Sequence, residues 1–182
     1  MQIKLRKIEP TDLPFLYQWE NDASVWADGA NHNPLSQQDL RNYIESTTGD
    51  IYRDGQLRLI IESVSEAVCQ QSGLSAKRSI SETVSSIGCI DLFDFDPRNR
   101  RAAIGMYIAP EHRGKGVGKE ALRLLEQYAF GHLNLRVLYA VIATKNIACT
   151  TLYRNTGYTS SPLPSWTLED DANIWIKTKA LD

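Results

Sequence analysis

The sequence predicts one α/β domain built on a central sheet of mixed direction, with helices packed on its faces. Short apolar runs typical of strands alternate along the chain with segments whose apolar residues recur at helical spacing. The order of these segments, β-α-α-β-β-β-α-β-α-β, predicts roughly six to seven strands and about four helices. The chain has 182 residues, of which 42% are hydrophobic, and this length allows one domain over 1–182 to bury a substantial core.

The N-terminal third is predicted to hold one strand, two helices and a second strand. Residues 3–8 place apolar side chains among cations and predict the first strand. A helix is expected to begin near Asp12. Ser36 opens a second helix, because Asp39 follows three residues later as in a capping box. Residues 56–63, rich in Leu and Ile, predict a strand.

Residues 63–86 interrupt this rhythm. The segment contains eight serines and no aromatic residue. It predicts a long, mobile surface insertion between two strands, with a short helix over 64–71 as one option. A regulatory or partner-binding loop is the alternative interpretation.

The C-terminal half alternates strands and helices. A clear amphipathic helix is expected from Val117 onward, where apolar residues recur at helical spacing. A further short helix near residue 147 is expected to close at Gly157, which stands in a C-cap position. Strands are expected over 85–96, 100–110, 136–143 and 173–181.

The overall composition limits the classes of partner. The formal net charge is −2, so no whole-molecule field attracts nucleic acid or an anionic membrane. The three cysteines are an odd count without a C-x-x-C pair, which predicts reduced thiols and no metal site. No secretory signal and no run of 18 apolar residues is recognisable. We expect a cytoplasmic protein with no nucleic-acid or membrane partner, and a homodimer is one option for its assembly.

Residues 111–122, "EHRGKGVGKEAL", place three glycines directly before a predicted helix. A Walker loop does not fit, because the glycine spacing is one residue too short and Glu120 stands where a magnesium-binding hydroxyl belongs. The dinucleotide fingerprint G-x-G-x-x-G does not fit either. Glycines before a helix still favour a pyrophosphate, since the backbone can approach the anion at the positive end of the helix. A glycine-rich turn with solvated cations is the alternative.

The stretch from Arg113 to Gly118 matches the pattern Arg/Gln-x-x-Gly-x-Gly/Ala between a strand and a helix. This pattern resembles the acyl-CoA-binding signature of the GNAT family of N-acetyltransferases. A later motif of that family, an Asn that opens a helix and a Tyr seven residues on, is matched by Asn146 and Tyr153, with "RNTGY" directly after. The resemblance implies a GNAT-like acyl-CoA N-acyltransferase fold.

Matching segments cover roughly residues 1–20 and 86–158. Residues 5–22, "LRKIEPTDLPFLYQWEND", resemble the branch that contains spermidine and ribosomal-protein alanine N-acetyltransferases. The resemblance implies acetyl-CoA as acetyl donor and an amine as acceptor. It also implies a set of donor-binding residues, with the first three holding the pantetheine arm through their backbone. These are Met106, Tyr107, Ile108, Arg113, Gly114, Lys115, Gly116, Val117, Gly118, Lys119, Asn146 and Tyr153.

The implied reaction is direct transfer of acetyl to an amine, which leaves a thiolate that needs a proton. Tyr153 is the predicted general acid, and a core tyrosine is its alternative interpretation. Many relatives carry a glutamate where this chain has Ala103, and many carry Ser at Cys149, so the usual general base is in doubt. A non-catalytic acyl-CoA sensor is therefore the rival from another class.

Asp91 is the candidate for the missing base. Strand alternation places it on one face with four apolar residues, where burial would favour its protonated form. It is predicted to act as a base or to bind a cationic substrate. Pairing with Arg100 or Arg101 is the alternative. The four apolar residues are Ile87, Cys89, Phe93 and Phe95.

The acceptor pocket is expected between the first two helices and their loop. Its notable residues are Trp19, Trp26, His32 and Tyr43, since aromatic rings can hold a cationic amine. Simple core packing is the alternative role for these rings, and a turn position is the alternative for His32. A polyamine is the favoured acceptor, with a peptide N-terminus or an aminoglycoside as alternatives.

Overall fold

A computed structural model describes residues 2–22, 33–69, 79–163 and 171–180 of the chain. Within them, seven strands form one mixed sheet, and the predicted fold class is confirmed. The strands are β1 (Gln2–Lys7), β2 (Leu57–Cys69), β3 (Ser79–Asp96), β4 (Arg101–Ile108), β5 (Val137–Ala143), β6 (Thr159–Pro162) and β7 (Ala172–Thr178). Their order across the sheet is β1-β2-β3-β4-β5-β7-β6.

The described residues contain five α-helices, with the predicted start and stop signals in place. Ser36 accepts from the backbone of Asp39 and the Asp39 side chain returns the contact, so the capping box is confirmed. Gly157 has φ of +88° directly after the last helix. The sequence did not predict β6 or the four-residue third helix. The helices are α1 (Leu13–Glu20), α2 (Gln37–Ser46), α3 (Ile51–Asp54), α4 (Val117–Glu126) and α5 (Ile147–Asn155).

Two buried cores lie on opposite faces of the sheet. Ile60 belongs to one core, while its strand neighbours Leu59 and Ile61 belong to the other, as alternation along a strand requires. The core around Ile60 is completed by α1 and α2, which contribute Leu16 and Leu40. We call that side the acceptor face. The other core packs under α4 and α5, and we call that side the donor face.

The only parallel pair among the described strands is β4 with β5, and it separates after three residues. Pairing runs from Arg101 opposite Val137 to Ala103 opposite Tyr139. Residues 104–108 of β4 then have no register partner on β5, and residues 140–143 of β5 have none on β4. The gap between these two segments is called the slot below. It opens toward the glycine loop and toward the start of α5.

The interpretation of residues 63–86 as a surface insertion is wrong for most of its length. The antiparallel pairing of β2 with β3 does not stop where the predicted insertion begins. It passes through Val64 opposite Val84 and ends at Cys69 opposite Ser79. Residues 64–69 are therefore strand, and the short helix over 64–71 is not formed there. The serine-rich composition suggested a loop, but a strand pair that extends beyond the sheet also tolerates small polar residues. Residues 70–78 lie outside the described residues.

Membrane-spanning helices and metal-binding clusters are both absent from the described residues. No helix in the described ranges is long and apolar enough to cross a membrane. Among the same residues, no group of three or more His, Cys, Asp or Glu side chains is arranged to hold a metal ion.

Candidate active site

The three glycines of the loop before α4 serve different purposes. Gly114 and Gly116 have φ of +72° and +80°, and a Cβ added to either would meet no atom of the described residues within 4 Å. Their backbone conformation therefore requires glycine, and the space beside them is open. A Cβ on Gly118 would lie 3.1 Å from both Ile108 Cδ1 and Leu152 Cδ2. Gly118 thus allows α4 to approach β4 and α5 closely.

The start of α4 is suited to an anion. Among the described residues no side chain caps this helix, and Gly116 precedes it in the left-handed conformation. The first amide groups of a helix have no partner within the helix, and they carry its positive dipole end. Arg113, Lys115 and Lys119 are exposed around them. Arg113 Nε also donates to the Ile108 carbonyl over 2.8 Å, which holds the loop against the end of β4.

The peptide groups of β4 alternate between β3 and the slot. The N–H of Ala109 donates to β3 at the Ile87 carbonyl over 3.0 Å, and on the other side the Arg100 carbonyl accepts from the first residue of β5. By alternation, the peptide groups of Met106 and Ile108 face the slot. Those of Tyr107 face β3, which differs from the backbone contact implied by the resemblance.

The side chain of Tyr107 lies on the acceptor face, beside Trp19. Its ring lies 5.7 Å from that of Trp19, and its hydroxyl donates to Asp22 Oδ2 over 3.3 Å. Burial and the Asp22 carboxylate raise the pKa of Tyr107 to about 12. Tyr107 thus anchors the chain that follows α1 beside the slot.

Asn146 and Tyr153 lie on α5, which begins where β5 ends. Asn146 is the N-cap, and its Oδ1 accepts from the backbone of Cys149 over 3.0 Å. Two turns later Tyr153 is 2% exposed, with its ring 4.8 Å from that of Tyr158 at 69°. Burial raises the pKa of Tyr153 well above its ordinary value, and Cys149 and Glu126 add to the effect. The Tyr153 hydroxyl therefore keeps its proton at neutral pH.

Asp91 is paired across the sheet with Arg58, and not with Arg100 or Arg101 as the alternative interpretation expected. Arg58 donates to both of its carboxylate oxygens, over 2.9 and 2.8 Å, and to Glu20 Oε1 over 2.5 Å. The Arg58 guanidinium also lies 5.6 Å from the ring centroid of Tyr43. Burial opposes its charge, but the carboxylates outweigh this and hold the pKa of Arg58 well above its usual value. The suggested partner Arg101 instead contacts Asp96 over 3.5 Å.

The predicted face of β3 needs correction. Cys89 lies in the acceptor-face core, but Ile87 and Phe95 pack on the donor face. The register shifts opposite Ile61 and Glu62, where Ile87 is the extra residue, and again after Phe93. Each irregularity changes the face of the residues beyond it.

Asp91 lies next to the slot. It is in register with Gly105, and a Cβ on Gly105 would be 3.6 Å from Asp91 Oδ2. Gly105 belongs to the part of β4 that has separated from β5. The missing side chain at this position leaves room for the Asp91 carboxylate at the edge of the slot.

Several residues of the acceptor face were not found from the sequence. Glu20, Asp22 and Arg58 belong to no motif, although alternation with Ile60 would have placed Arg58 on this face. Trp19 is buried in the core of the acceptor face, and Tyr43 packs against that core. The other two pocket candidates, Trp26 and His32, lie outside the described residues.

Comparison with known proteins gives a consistent result. Residues 2–159 match the family described as acetyltransferase (GNAT) domain. Spermidine N(1)-acetyltransferase of Escherichia coli strain K12 is 26% identical over 159 residues, covering 86% of this chain and 72% of the relative. Spermidine N-acetyltransferase from Vibrio cholerae in complex with CoA and spermine has a TM-score of 0.74 at 22% identity, covering 97% of this chain and 95% of that one. A dodecameric structure of spermidine N-acetyltransferase from Vibrio cholerae in an intermediate state has a TM-score of 0.68 at 22% identity, covering 97% and 94%.

The two solved structures confirm the fold. The family match contains the glycine loop, the slot and α5, so it covers the residues from which the resemblance was first drawn. It also favours the enzyme over the sensor interpretation. The chain therefore belongs to the GNAT family of acetyltransferases, and it is an N-acetyltransferase that uses acetyl-CoA.

Proposed function

We propose that the protein acetylates a primary amine of a polyamine. The observation that carries this proposal is the charge of the acceptor face, where Glu20 and Asp91 contact one fixed cation, Arg58, and Asp22 accepts from the Tyr107 hydroxyl. Carboxylates outnumber the guanidinium among these contacts, and negatively charged groups suit an acceptor with several positive charges. The named activity of the Escherichia coli relative, a spermidine N(1)-acetyltransferase, supports the same substrate class.

The donor is expected to bind in the slot and the glycine loop. Gly114 and Gly116 leave open space beside the loop, and the start of α4 offers backbone N–H groups to the pyrophosphate. The peptide groups of Met106 and Ile108 are available along the edge of β4 for the pantetheine arm. Acetyl-CoA supplies the acetyl group as a thioester. The cations of the loop would balance the charge of its phosphates.

An acceptor cavity lies beside Asp91. It has a volume of about 210 Å³ and is lined in part by Tyr43, Arg58, Asp91 and Phe93. Aromatic rings and a carboxylate form a suitable environment for an alkylammonium group. Because both oxygens of Asp91 already accept from Arg58, we assign Asp91 to binding the ammonium, with the base function as the alternative.

The chemistry requires three proton transfers: the ammonium loses one proton to solvent before attack, the nitrogen loses a second as it becomes an amide, and the departing thiolate gains one. An alkylammonium is only about one part in 2,500 neutral at pH 7, which corresponds to roughly 4–5 kcal/mol that the site must offset. The neutral nitrogen then forms the C–N bond as the C–S bond breaks. Tyr153 would give its proton to the departing thiolate sulfur and take up the proton that the nitrogen loses on becoming an amide, which restores its hydroxyl.

The experiment that tests this proposal is a screen of thiol release from acetyl-CoA over several amines. Spermidine and spermine should give turnover well above that of an Ala-starting peptide or an aminoglycoside. Butylamine is the matched control for charge, because it presents one primary amine without the further cations of a polyamine. Turnover with the peptide or the aminoglycoside and none with any polyamine would replace the proposed substrate class.

We also propose that the chain self-associates, with a homodimer as the minimal unit. The support is the dodecameric structure found for a Vibrio cholerae spermidine N-acetyltransferase of the same fold. Light scattering on the purified chain measures its mass in solution. A mass equal to 20.5 kDa at all concentrations would contradict this expectation.

A further inference from the structure

A group of buried polar atoms lies behind Tyr153. Glu126 Oε1, the Tyr158 hydroxyl and Trp175 Nε1 are all buried, and none makes a hydrogen bond of good geometry among the described residues, although the Tyr158 hydroxyl lies close enough to the Glu126 carboxylate to interact with it. Buried polar groups in native proteins are nearly always paired, so each exception asks for an explanation. Two of the three belong together, because the pKa of Tyr158 is raised by burial and then by the Glu126 carboxylate.

Tyr158 is in direct contact with Tyr153. The two rings meet edge to face, with centroids 4.8 Å apart and planes at 69°. Both residues are almost fully buried, at 3% and 2% exposed. An edge-to-face contact in a close-packed core leaves a ring few alternative orientations. Tyr158 therefore restricts the direction in which the Tyr153 hydroxyl points.

Lys177 connects this ring pair to two helices. Its Nζ donates to Glu126 Oε2 on α4 over 2.7 Å and to the Thr156 carbonyl at the end of α5 over 2.8 Å. The same nitrogen lies 5.4 Å from the centroid of Tyr158. The side chains of Lys177 and Glu126 are 26% and 14% exposed, so the ion pair is largely shielded from water. One cation from β7 thus fixes Glu126 and the segment that carries both tyrosines.

We propose that Glu126, Tyr158 and Lys177 form a positioning support for Tyr153, which holds its hydroxyl in the orientation needed to donate a proton in the slot. This inference rests on the proposed function, since it takes Tyr153 as the general acid. The three residues act through Tyr153 and do not contact the reacting atoms themselves.

Stability alone does not account for the hydroxyl of Tyr158. A buried hydroxyl that makes only a poorly aligned contact with a carboxylate costs free energy, and a phenylalanine of the same shape would avoid that cost. The same holds for Glu126 Oε1. A polar group that weakens the core at a catalytic tyrosine is better explained by the reaction than by folding.

The support also borders the donor site. A cavity of about 270 Å³ is lined by Gly116 and Lys119 at the glycine loop and by Glu126 and Lys177 on the other side. A change at Glu126 or Lys177 can therefore alter donor binding directly. Tyr158 does not line this cavity, so it is the residue with which to separate orientation from binding.

The experiment compares Tyr158→Phe with the wild type, using acetyl-CoA and the amine that gives the highest turnover. The phenylalanine keeps the edge-to-face contact but loses the contact of the hydroxyl with Glu126, so the ring is held less firmly. We expect kcat to fall about tenfold through misorientation of the acid, with the KM for acetyl-CoA nearly unchanged. The thermal midpoint should stay the same or rise. Tyr128→Phe is the control, because it removes a hydroxyl from a partly buried ring that packs on the same core, and it should leave kcat unchanged. Glu126→Gln, which keeps the side-chain size, should reproduce the fall in kcat and serves as the second variant.

A double variant separates this inference from the proposed function. In a Tyr153→Phe background, adding Tyr158→Phe should produce no further loss, since the support has nothing left to position. An unchanged kcat in Tyr158→Phe and Glu126→Gln, or a full additional loss in the double variant, overturns the inference. Tyr153→Phe alone with wild-type kcat would instead remove the proposed role of Tyr153.

Discussion

Arg58 and Asp91 lie directly opposite each other on β2 and β3, and the Arg58 guanidinium donates to both carboxylate oxygens of Asp91 over 2.9 and 2.8 Å. Glu20 accepts a third hydrogen bond from the same guanidinium. One buried cation therefore joins α1 to the sheet and sets the charge of the acceptor face. Any amine that approaches Asp91 must share the carboxylate with Arg58.

The first prediction concerns this pair. Asp91→Asn leaves the Arg58 charge without its main partner, so the free energy of unfolding should fall by about 2–4 kcal/mol. The KM for the amine should rise more than kcat falls, because an anchor acts on binding. Asp96→Asn is the control, since it makes the same change near the end of the same strand, away from the cavity. A loss confined to kcat would show that Asp91 is a base and not an anchor.

The glycines of the loop give a second prediction. Gly116→Ala forces a side chain into the left-handed region, which costs about 1 kcal/mol, and places a methyl group in the proposed phosphate site. The KM for acetyl-CoA should therefore rise, by about tenfold. Gly55→Ala is a matched control, because Gly55 has φ of +71° and an added Cβ would meet no atom within 4 Å in the part of the chain that the structure describes. It should lose similar stability without any change in KM. Equal KM values for the two variants would contradict the phosphate site.

A third prediction concerns alkaline pH. The pKa of Tyr107 is raised to about 12 by burial and by Asp22, so the folded state holds this proton more tightly than the unfolded state. The stabilisation that this proton contributes is therefore complete below the unfolded pKa near 10, and it is lost as pH rises toward about 12. Tyr107→Phe should flatten the decline of unfolding free energy with pH in that window.

Tyr139 provides the comparison for this prediction. Its pKa is also raised to about 12, by burial and by its hydrogen bond to Asp94. Tyr139→Phe should flatten the same decline of unfolding free energy. It should leave the KM for the amine unchanged, because Asp94 is not among the residues that line the acceptor cavity. Tyr107→Phe should raise that KM, since Tyr107 holds Asp22. An identical amine KM in both variants would argue against a role for Asp22 in binding.

The features predicted correctly from the sequence are local ones. Ser36 with Asp39 and the glycine series before Val117 are each complete within a few residues, so their spacing alone determines the backbone they require. The spacing from Asn146 to Tyr153 is local in the same sense, because both lie on one helix.

The features that were missed depend on pairing between distant segments. Arg58 and Asp91 are 33 residues apart, and only the register of β2 with β3 brings them together. The extra residue at Ile87 reverses the expected alternation, and no local signal marks it. The long strand pairing beyond Val64 was hidden by a serine-rich composition that is also compatible with a loop.

The central claim is that Tyr153 donates the proton that allows acetyl transfer in the slot. The most direct measurement is kcat of Tyr153→Phe with acetyl-CoA and spermidine, together with the Kd for acetyl-CoA measured by calorimetry. We predict that kcat falls by about a hundredfold or more while the Kd stays within twofold, because the ring remains and only the proton is lost. A variant that turns over at the wild-type rate would contradict the account.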